Sequence, residues 1–477
     1  MSTDTLDLSA FGIASPEDLP AFARITGAGQ SLRTAGACAH PIRLTGGRDV
    51  IEAATGLLLD TTDHRAITVA CGNRRASKCE YCSTLYKYDA YNLVVAGLRG
   101  GKDTPPAVAA HPMVFLTLTA PSFGPVHLGP DKYGTARPCH PRRDGTGCPR
   151  WHRASDALIG TPLDPTTYDY TGHALFNALA PALWSITTTE IRREIARLAG
   201  LTRTEAGRQV KASFAKVAEY QARGIVHFHA VIRLDGPDGP SSPPPAWAGL
   251  ELLETAIRRG AARARVTAPE SRALGEPDFR WGVQLKADPI TPAHLDATDQ
   301  HAEVTDVKVA RYVAKYATKS TEAAGLELPR IACRTCDGAG SVLTTRTSEY
   351  VPCLDCAGRG CALNLDRWHL TDHARRVIEA CWLLGAIPEL EPLRLRQWAH
   401  MLGFRGHFAT KSRAYSTTFG ALRQERADYT ARLDPETAAL LDSPDVLIVN
   451  HWAYAGRVDT PPSPDTRSRT GGKADSP

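Results

Sequence analysis

The sequence predicts an α+β protein: an antiparallel sheet with helices, accompanied by zinc-binding modules and a helical C-terminal region. Three observations point there. Two strand-like runs, 208–220 and 225–234, meet at Ala222-Arg223-Gly224, a turn tight enough for a hairpin. Helix-like stretches at 173–201, 247–265 and 368–384 are mixed with such strands. Six of the twelve cysteines form CxxC pairs, Cys79/Cys82, Cys333/Cys336 and Cys353/Cys356.

At 477 residues, 43% hydrophobic and 22% charged, the chain has an ordinary globular composition with room for several domains. A net charge of +5 is too mild to indicate nucleic acid by itself. Its distribution says more: between Arg394 and Gln424 there are six Lys or Arg and no Asp or Glu. No apolar run is long enough for a membrane span, and MSTDTLDLSA lacks the basic start and apolar core of a signal peptide. A cytoplasmic, membrane-free location is therefore expected, and there cysteines serve more often as metal ligands than as disulfides.

In chain order, residues 1–108 read as an N-terminal region with a zinc knuckle and a helix. Cys71, Cys79 and Cys82 are its natural ligands and Cys38 can close the tetrahedron, with His40 and His64 as substitutes. The helix at 83–98 carries Tyr86, Tyr88 and Tyr91, read as packing residues. A second region, 109–325 with an insertion at 236–278, opens on the strand at 111–122 (HPMVFLTLTAPS). Cys139, His140, Cys148 and His152 follow in a turn-rich basic loop, where a second small metal site ranks below an exposed loop with incidental ligands. The helix at 173–201 is expected to break near Pro181. The hairpin comes next, then the Pro/Gly/Ser linker at 235–245, a helix at 247–265 and a strand at 279–286. A tyrosine-bearing helix, about 304–321, closes this region.

Residues 326–364 contain Cys333, Cys336, Cys353 and Cys356, two knuckles whose spacing is that of one zinc finger. Their glycines let the backbone turn so that N–H groups face the thiolates. Each CxxCxGxG half resembles the zinc centre of DnaJ-type chaperones, although two such halves are present and no HPD. Cys361 and Cys381 are left over as buried thiols. Residues 365–457 read as helical and basic, with helices at 368–384 and 393–402, and 458–477 as a disordered tail.

The chemistry concentrates in two motifs. On the strand 225–234, side chains alternate, so His227 and His229 share a face and can grip one metal ion, while Val226, Phe228 and Ala230 face the core. Two surface histidines on a half-exposed strand would look the same. Further on, Tyr312 and Tyr316 lie four apart on a helix with Lys315 and Lys319 beside them, an arrangement an apolar packing face would not tolerate.

A His-x-His strand followed by YVAKYATKS resembles the HUH endonucleases, specifically the rolling-circle replication initiators of actinomycete plasmids and integrative elements, and FLTLT resembles their first motif. The resemblance implies an RRM-like antiparallel sheet with the histidines on a central strand. It implies metal-dependent nicking of origin DNA, single-stranded at the nick, by tyrosine transesterification. Tyr316 is expected to attack first and Tyr312 in the later joining step, assisted by Lys315 or Lys319. Glu219 fits the family's carboxylate ligand, with Asp235 and Gln221 as alternatives. The family implies Mg²⁺ or Mn²⁺, whereas imidazole donors suit transition metals better than magnesium. No GxxxxGK[ST] occurs, so host helicase, polymerase and single-strand-binding protein are the implied partners. Among the alternatives, relaxases place their tyrosines before the histidines, HUH transposases share the order but are usually much smaller chains, and histidine-triad hydrolases need a histidine where Val231 stands. A zinc-finger DNA-binding regulator is the non-enzymatic alternative.

Overall fold

The computed structural model describes residues 35–131, 134–141, 147–290, 305–318, 326, 328–344, 348–361, 368, 370–432 and 445–458. Expectations for the first 34 residues, for the tail beyond 458 and for Lys319 fall outside them. The described chain begins with strands β1 (Ile42–Glu52) and β2 (Leu58–Val69) and helix α1 (Glu80–Arg99). Then come β3 (Met113–Leu118), the short pair β4 (Pro138–His140) and β5 (Cys148–Trp151), and helices α2 (Tyr170–Leu198) and α3 (Arg203–Gln209). The hairpin is β6 (Lys211–Tyr220) with β7 (Val226–Asp235), followed by α4 (Leu250–Arg263), β8 (Val266–Thr267), β9 (Asp278–Phe279) and β10 (Leu285–Pro289). Helix α5 (Asp306–Ala317) carries the tyrosines, and β11 (Ser341–Leu343) and β12 (Tyr350–Pro352) lie between the cysteine knuckles. Last are α6 (Asp372–Leu384), β13 (Ala409–Lys411), α7 (Phe419–Ala431), β14 (Val446–Asn450) and β15 (Ala453–Arg457).

The chain forms two compact units, Met1–Asp89 with Thr418–Pro477, and Ala90–Thr417. They do not follow the sequence segments one for one. In the first unit β1 pairs antiparallel with β2, β14 and β15, so strands from both ends of the chain build one sheet. Here Tyr86 does pack, stacked on Phe419 at 4.8 Å, whereas Tyr88 is exposed.

In the second unit a five-stranded sheet runs in the order β10-β3-β7-β6-β13, every neighbour antiparallel. The two-residue alternation decides its faces. Val114, Leu116, Ala218, Val226, Phe228, Ala230 and Leu234 are fully buried, in one core with α2, α4 and α6. The opposite face carries Thr117, Glu219, His227 and His229.

Local chemistry explains the helices. Asp169 accepts the Gly172 N–H at 2.7 Å to cap α2, Thr202 and Glu205 form a capping box on α3, and Thr371 accepts the Ala374 N–H at 3.2 Å on α6. Leu253, Ala256 and Ile257, at helical spacing, press α4 into the core. A Cβ at Gly260 would stand 2.7 Å from the Ile191 backbone nitrogen, so this close α2–α4 approach needs glycine. Three expectations fail. The strand expected over 279–286 is two separate pieces, β9 ending at Phe279 and paired with β8, and β10 beginning at Leu285 and paired with β3. Helix α2 runs unbroken through Pro181, because residues 172–180 are buried and that packing outweighs a penalty of about 3 kcal/mol. Residues 393–402 are no amphipathic helix: 3₁₀ turns at Pro388–Leu393 and Ala399–Met401 end in left-handed Arg394 and Leu402. Among the described residues no helix is long and apolar enough to cross a membrane.

Candidate metal centre and tyrosine helix

The β6–β7 register places Glu219 directly across from His227, with His229 one pleat further along the same face. The connecting turn is closed by Gln221 and Ile225 and by Gly224, whose φ of +77° suits glycine. Beneath it, buried Asn177 of α2 donates to the Gly224 and Leu402 carbonyls at 3.0 and 2.9 Å and accepts the Val226 N–H at 3.0 Å. This clamp fixes the turn that sets the register.

Three ligand atoms converge as a result. Glu219 Oε2 lies 3.3 Å from His227 Nε2 and 3.5 Å from His229 Nε2, and all three lie within 4.8 Å of one another. For metal bonds of about 2.0–2.2 Å, donor separations of roughly 3.0–3.5 Å are expected, so the residues fit a divalent cation. Burial raises the Glu219 carboxyl, but hydrogen bonds and charge from His227 and His229 outweigh it and hold it at about 2. Burial lowers His229, favouring the neutral imidazole a metal requires. The His229 Nδ1 lies 3.0 Å from Thr117 Oγ1, which orients the ring so that Nε2 faces inward. His227 Nδ1 is buried without a hydrogen-bond partner.

Of the two alternatives for the third ligand, Asp235 shares the face but is locked to Arg233 at 2.6 Å. Gln221 accepts from Arg223 Nε at 2.8 Å. Glu219 alone of the three reaches both histidines.

Helix α5 delivers the tyrosine. Its first residue, Asp306, receives two hydrogen bonds from Arg99 and accepts the Val307 N–H at 2.7 Å. Val309, Ala310, Val313 and Ala314 bury its inner face. Tyr312 then turns its hydroxyl to His229 Nε2 at 3.0 Å. The Tyr312 ring meets His229 edge-on at 4.8 Å and Phe115 at 5.7 Å. Lys315 is exposed on the next turn. Tyr316 belongs to α5, but its side chain lies outside the described residues, as does all of Lys319.

Residues 25–467 match the family model described as "Replication initiator protein, pSAM2" (RepSA). The chain belongs to this family. It is also similar to a curated "Replication initiator protein" from Streptomyces ambofaciens, 45% identical over 444 residues that cover 90% of this chain and 86% of the relative. No solved structure matches it. The RepSA assignment agrees with the replication-initiator expectation drawn from the two motifs.

Two cysteine clusters of this RepSA chain assemble as the spacing predicts. Cys333, Cys336, Cys353 and Cys356 come together, Cys333 Sγ to Cys353 Sγ at 3.9 Å and Cys336 Sγ to Cys356 Sγ at 3.7 Å. These separations suit the edge of a tetrahedral zinc–thiolate site, roughly 3.8 Å. The two halves mirror each other. Gly340 N–H donates to Cys336 Sγ at 3.3 Å and Gly360 N–H to Cys356 Sγ at 3.2 Å, while the Cys353 and Cys333 N–H groups bond the Gly340 and Gly360 carbonyls at 2.8 Å. A Cβ on Gly360 would stand 2.5 Å from the Gly338 oxygen. Arg396 ties the knuckle to α6, donating to the Gly338 and Trp382 carbonyls at 3.1 and 3.0 Å. Hydrogen bonding to the Cys336 backbone is the main reason Cys333 is lowered to about 7, which favours the thiolate.

In the first unit Cys38, Cys71, Cys79 and Cys82 gather likewise, with Sγ separations of 3.6 Å from Cys82 to Cys38 and to Cys71. Cys38 is buried among the other thiols while His40 is exposed, so the thiol is the better placed of the two to be a fourth ligand. Of the leftover cysteines, Cys381 is fully buried and Cys361 half-buried. The basic stretch is partly structural: Arg405 and Lys411, like Arg396, donate to backbone carbonyls.

Sequence reasoning ranked one assembly too low and missed one of its members. Cys139, Cys148 and His152 are buried rather than exposed, and His127 joins them. His127 stands twelve residues before Cys139, outside any motif spacing. Only the β4–β5 pairing and the return of the chain near Thr161 unite the four.

Proposed function

We propose that this initiator is an HUH-type nickase that cuts one strand of its own element's replication origin and later reseals it. The observation that carries the reading is the convergence of Glu219, His227 and His229 beside the Tyr312 hydroxyl. Glu219, His227 and His229 would hold the divalent ion. When bound, Mn²⁺ or Mg²⁺ supplies positive charge to the non-bridging oxygens of the scissile phosphate.

Tyr312 is the first nucleophile in this reading, with Tyr316 one turn on for the joining step. That order reverses the expectation drawn from the AKYATK run, and the 3.0 Å contact of Tyr312 with His229 is the reason. The Tyr312 oxygen attacks phosphorus, the bond to the 3′-oxygen breaks, and that oxygen leaves with a proton as a free 3′-OH. The 5′-phosphate stays on the tyrosine. One phosphodiester replaces another, so resealing by a 3′-OH needs no ATP. A phenol with an ordinary pKa of about 10 is mostly protonated at neutral pH. Lys315 and Lys319 are the proposed electrostatic assistants. The two cysteine quartets would bind structural Zn²⁺, and host helicase, polymerase and single-strand-binding protein would extend and coat the displaced strand.

The test incubates labelled oligonucleotides from both strands of the element's origin with wild type, Tyr312→Phe, Tyr316→Phe or His227→Ala, in Mn²⁺, Mg²⁺ or EDTA. A covalent protein–DNA band is expected, lost with EDTA, His227→Ala and Tyr312→Phe and kept in Tyr316→Phe. Loss in Tyr316→Phe alone would restore the order expected from sequence. No band from folded wild type on any origin strand would favour a zinc-finger regulator.

A further inference from the structure

The loop at 125–163 lies outside the nicking chemistry, yet four metal-ligating side chains meet within it. We propose that His127, Cys139, Cys148 and His152 bind a structural zinc ion through Nδ1, two Sγ and Nε2, independently of the two cysteine quartets.

Geometry is the first argument. His127 Nδ1 lies 3.2 Å from His152 Nε2, Cys139 Sγ 3.7 Å from His127 Nδ1, and Cys148 Sγ 3.5 Å from His152 Nε2. A tetrahedron with Zn–N bonds near 2.0 Å and Zn–S bonds near 2.3 Å has edges of roughly 3.3 to 3.8 Å. The four donor atoms all lie within 4.8 Å of one another. Two thiols and two imidazoles form a donor set that tetrahedral zinc prefers, and one that magnesium or calcium does not.

The surroundings are the second argument. His152 Nδ1 sits 2.6 Å from Asp156 Oδ2, so the carboxylate takes the ring N–H and leaves the Nε2 lone pair facing the cluster. Asp156 is itself held, accepting the Leu158 N–H at 2.9 Å. Cys139 Sγ accepts the Leu128 N–H at 3.1 Å, as metal-bound thiolates commonly do, and has His140 Nδ1 at 3.2 Å as a further neighbour. His127 is fixed through its backbone, donating to the Thr161 carbonyl at 2.8 Å and accepting from Gly160 N–H at 2.9 Å. Cys139, Cys148 and His152 are buried in a stretch with few apolar side chains to hold it closed. A metal would supply the cross-link that an apolar core supplies elsewhere.

The site has a place in the molecule. His127 and Ile159 line one wall of a cleft of about 450 Å³ whose other wall includes Thr119, Gln221 and Arg223, at the end of the sheet where Glu219 stands. The zinc would keep that wall in position.

The test measures zinc per chain by elemental mass spectrometry on full-length wild type, His127→Ala, Cys139→Ser and His127→Cys. The first two variants should each hold one equivalent less than wild type, and His127→Cys, which restores a donor, should regain it. Trypsin should cut faster at Arg150 and Arg153 in the depleted variants. Equal zinc in wild type and His127→Ala overturns the proposal. Should a variant fail to fold, the cobalt-substituted wild type decides: a component with two-nitrogen, two-sulfur ligand-field bands is expected, and a spectrum of four-sulfur type alone overturns it. Neither readout depends on nicking.

Discussion

At the C-terminal end of β7, Arg233 and Asp235 are wholly enclosed and every interaction is matched. Asp235 accepts from Arg233 at 2.6 and 3.0 Å and from Ser213 at 2.7 Å, and lies 2.8 Å from His111 Nδ1. Arg233 also donates to the Gly97 and Tyr415 carbonyls. At the other end of β7, on the same face, Glu219 of β6 lies between two imidazoles at 3.3 and 3.5 Å, longer than charge-assisted bonds of about 2.7–2.9 Å, and His227 Nδ1 has no partner. A buried charge cluster that is fully satisfied holds the fold. One whose donor atoms converge without closing on each other has room for a guest.

The largest predicted effects test this contrast directly. Arg233→Met would leave the Asp235 charge enclosed and unpaired, a loss of about 3–5 kcal/mol visible as a lower denaturation midpoint. His227→Ala should abolish metal-dependent nicking with a stability change of about 1 kcal/mol or less. If His227→Ala instead unfolded the protein while Arg233→Met was tolerated, the division of roles along β7 would be wrong.

Next in size is the cysteine knuckle. Cys353→Ser removes one of four thiolates and should lower zinc content and the thermal midpoint together. Gly360→Ala should weaken zinc retention through backbone strain alone, since its φ of +72° and the nearby Gly338 oxygen exclude a side chain. A Gly360→Ala chain that holds zinc like wild type would show that the mirrored turns are not what shapes the site.

How far the sequence could be read follows from the range of the interactions involved. The hairpin was legible because alternation and a glycine turn are local signals, and alternation also separated Val226, Phe228 and Ala230 from His227 and His229. The quartet Cys333, Cys336, Cys353 and Cys356 was legible because short spacing carries the geometry. Helix α2 continues past Pro181 because neighbouring helices bury it, and residues 393–402 turn rather than form a helix where the Met401 and Leu402 carbonyls are taken by Tyr220 and Asn177. His127 joins its cluster only through long-range folding. The contact of Tyr312 with His229 likewise depends on how α5 docks, which the even spacing of two tyrosines cannot rank.

A smaller effect concerns orientation. Thr117→Val keeps the shape beside His229 but removes the oxygen near Nδ1. Loss of such a supporting contact typically costs about 10–100-fold in metal affinity. Nicking by this variant should therefore need more Mn²⁺ yet reach a similar plateau, read from a metal titration. An unchanged titration would mean that ring stacking on Phe115, 5.8 Å away, suffices to hold the imidazole.

The smallest prediction uses Lys216, which is intermediate between the two ends of β7. It projects from β6 onto the core face, where its ammonium has the Phe228 ring at 4.1 Å and one long hydrogen bond, 3.4 Å, to the His407 carbonyl. Burial lowers it from 10.5 to about 7. The folded chain therefore gives up this proton before the unfolded chain does. Between the two values the unfolded state binds more protons, so stability rises with pH, and the burial penalty is complete only below the folded value. Lys216→Met removes the group. It should raise the denaturation midpoint most at about pH 6 and progressively less toward pH 9–10, as deprotonation relieves the wild type. Parallel profiles for the two chains would mean that the ring and the carbonyl compensate the charge, placing Lys216 with the satisfied pair at the far end of β7.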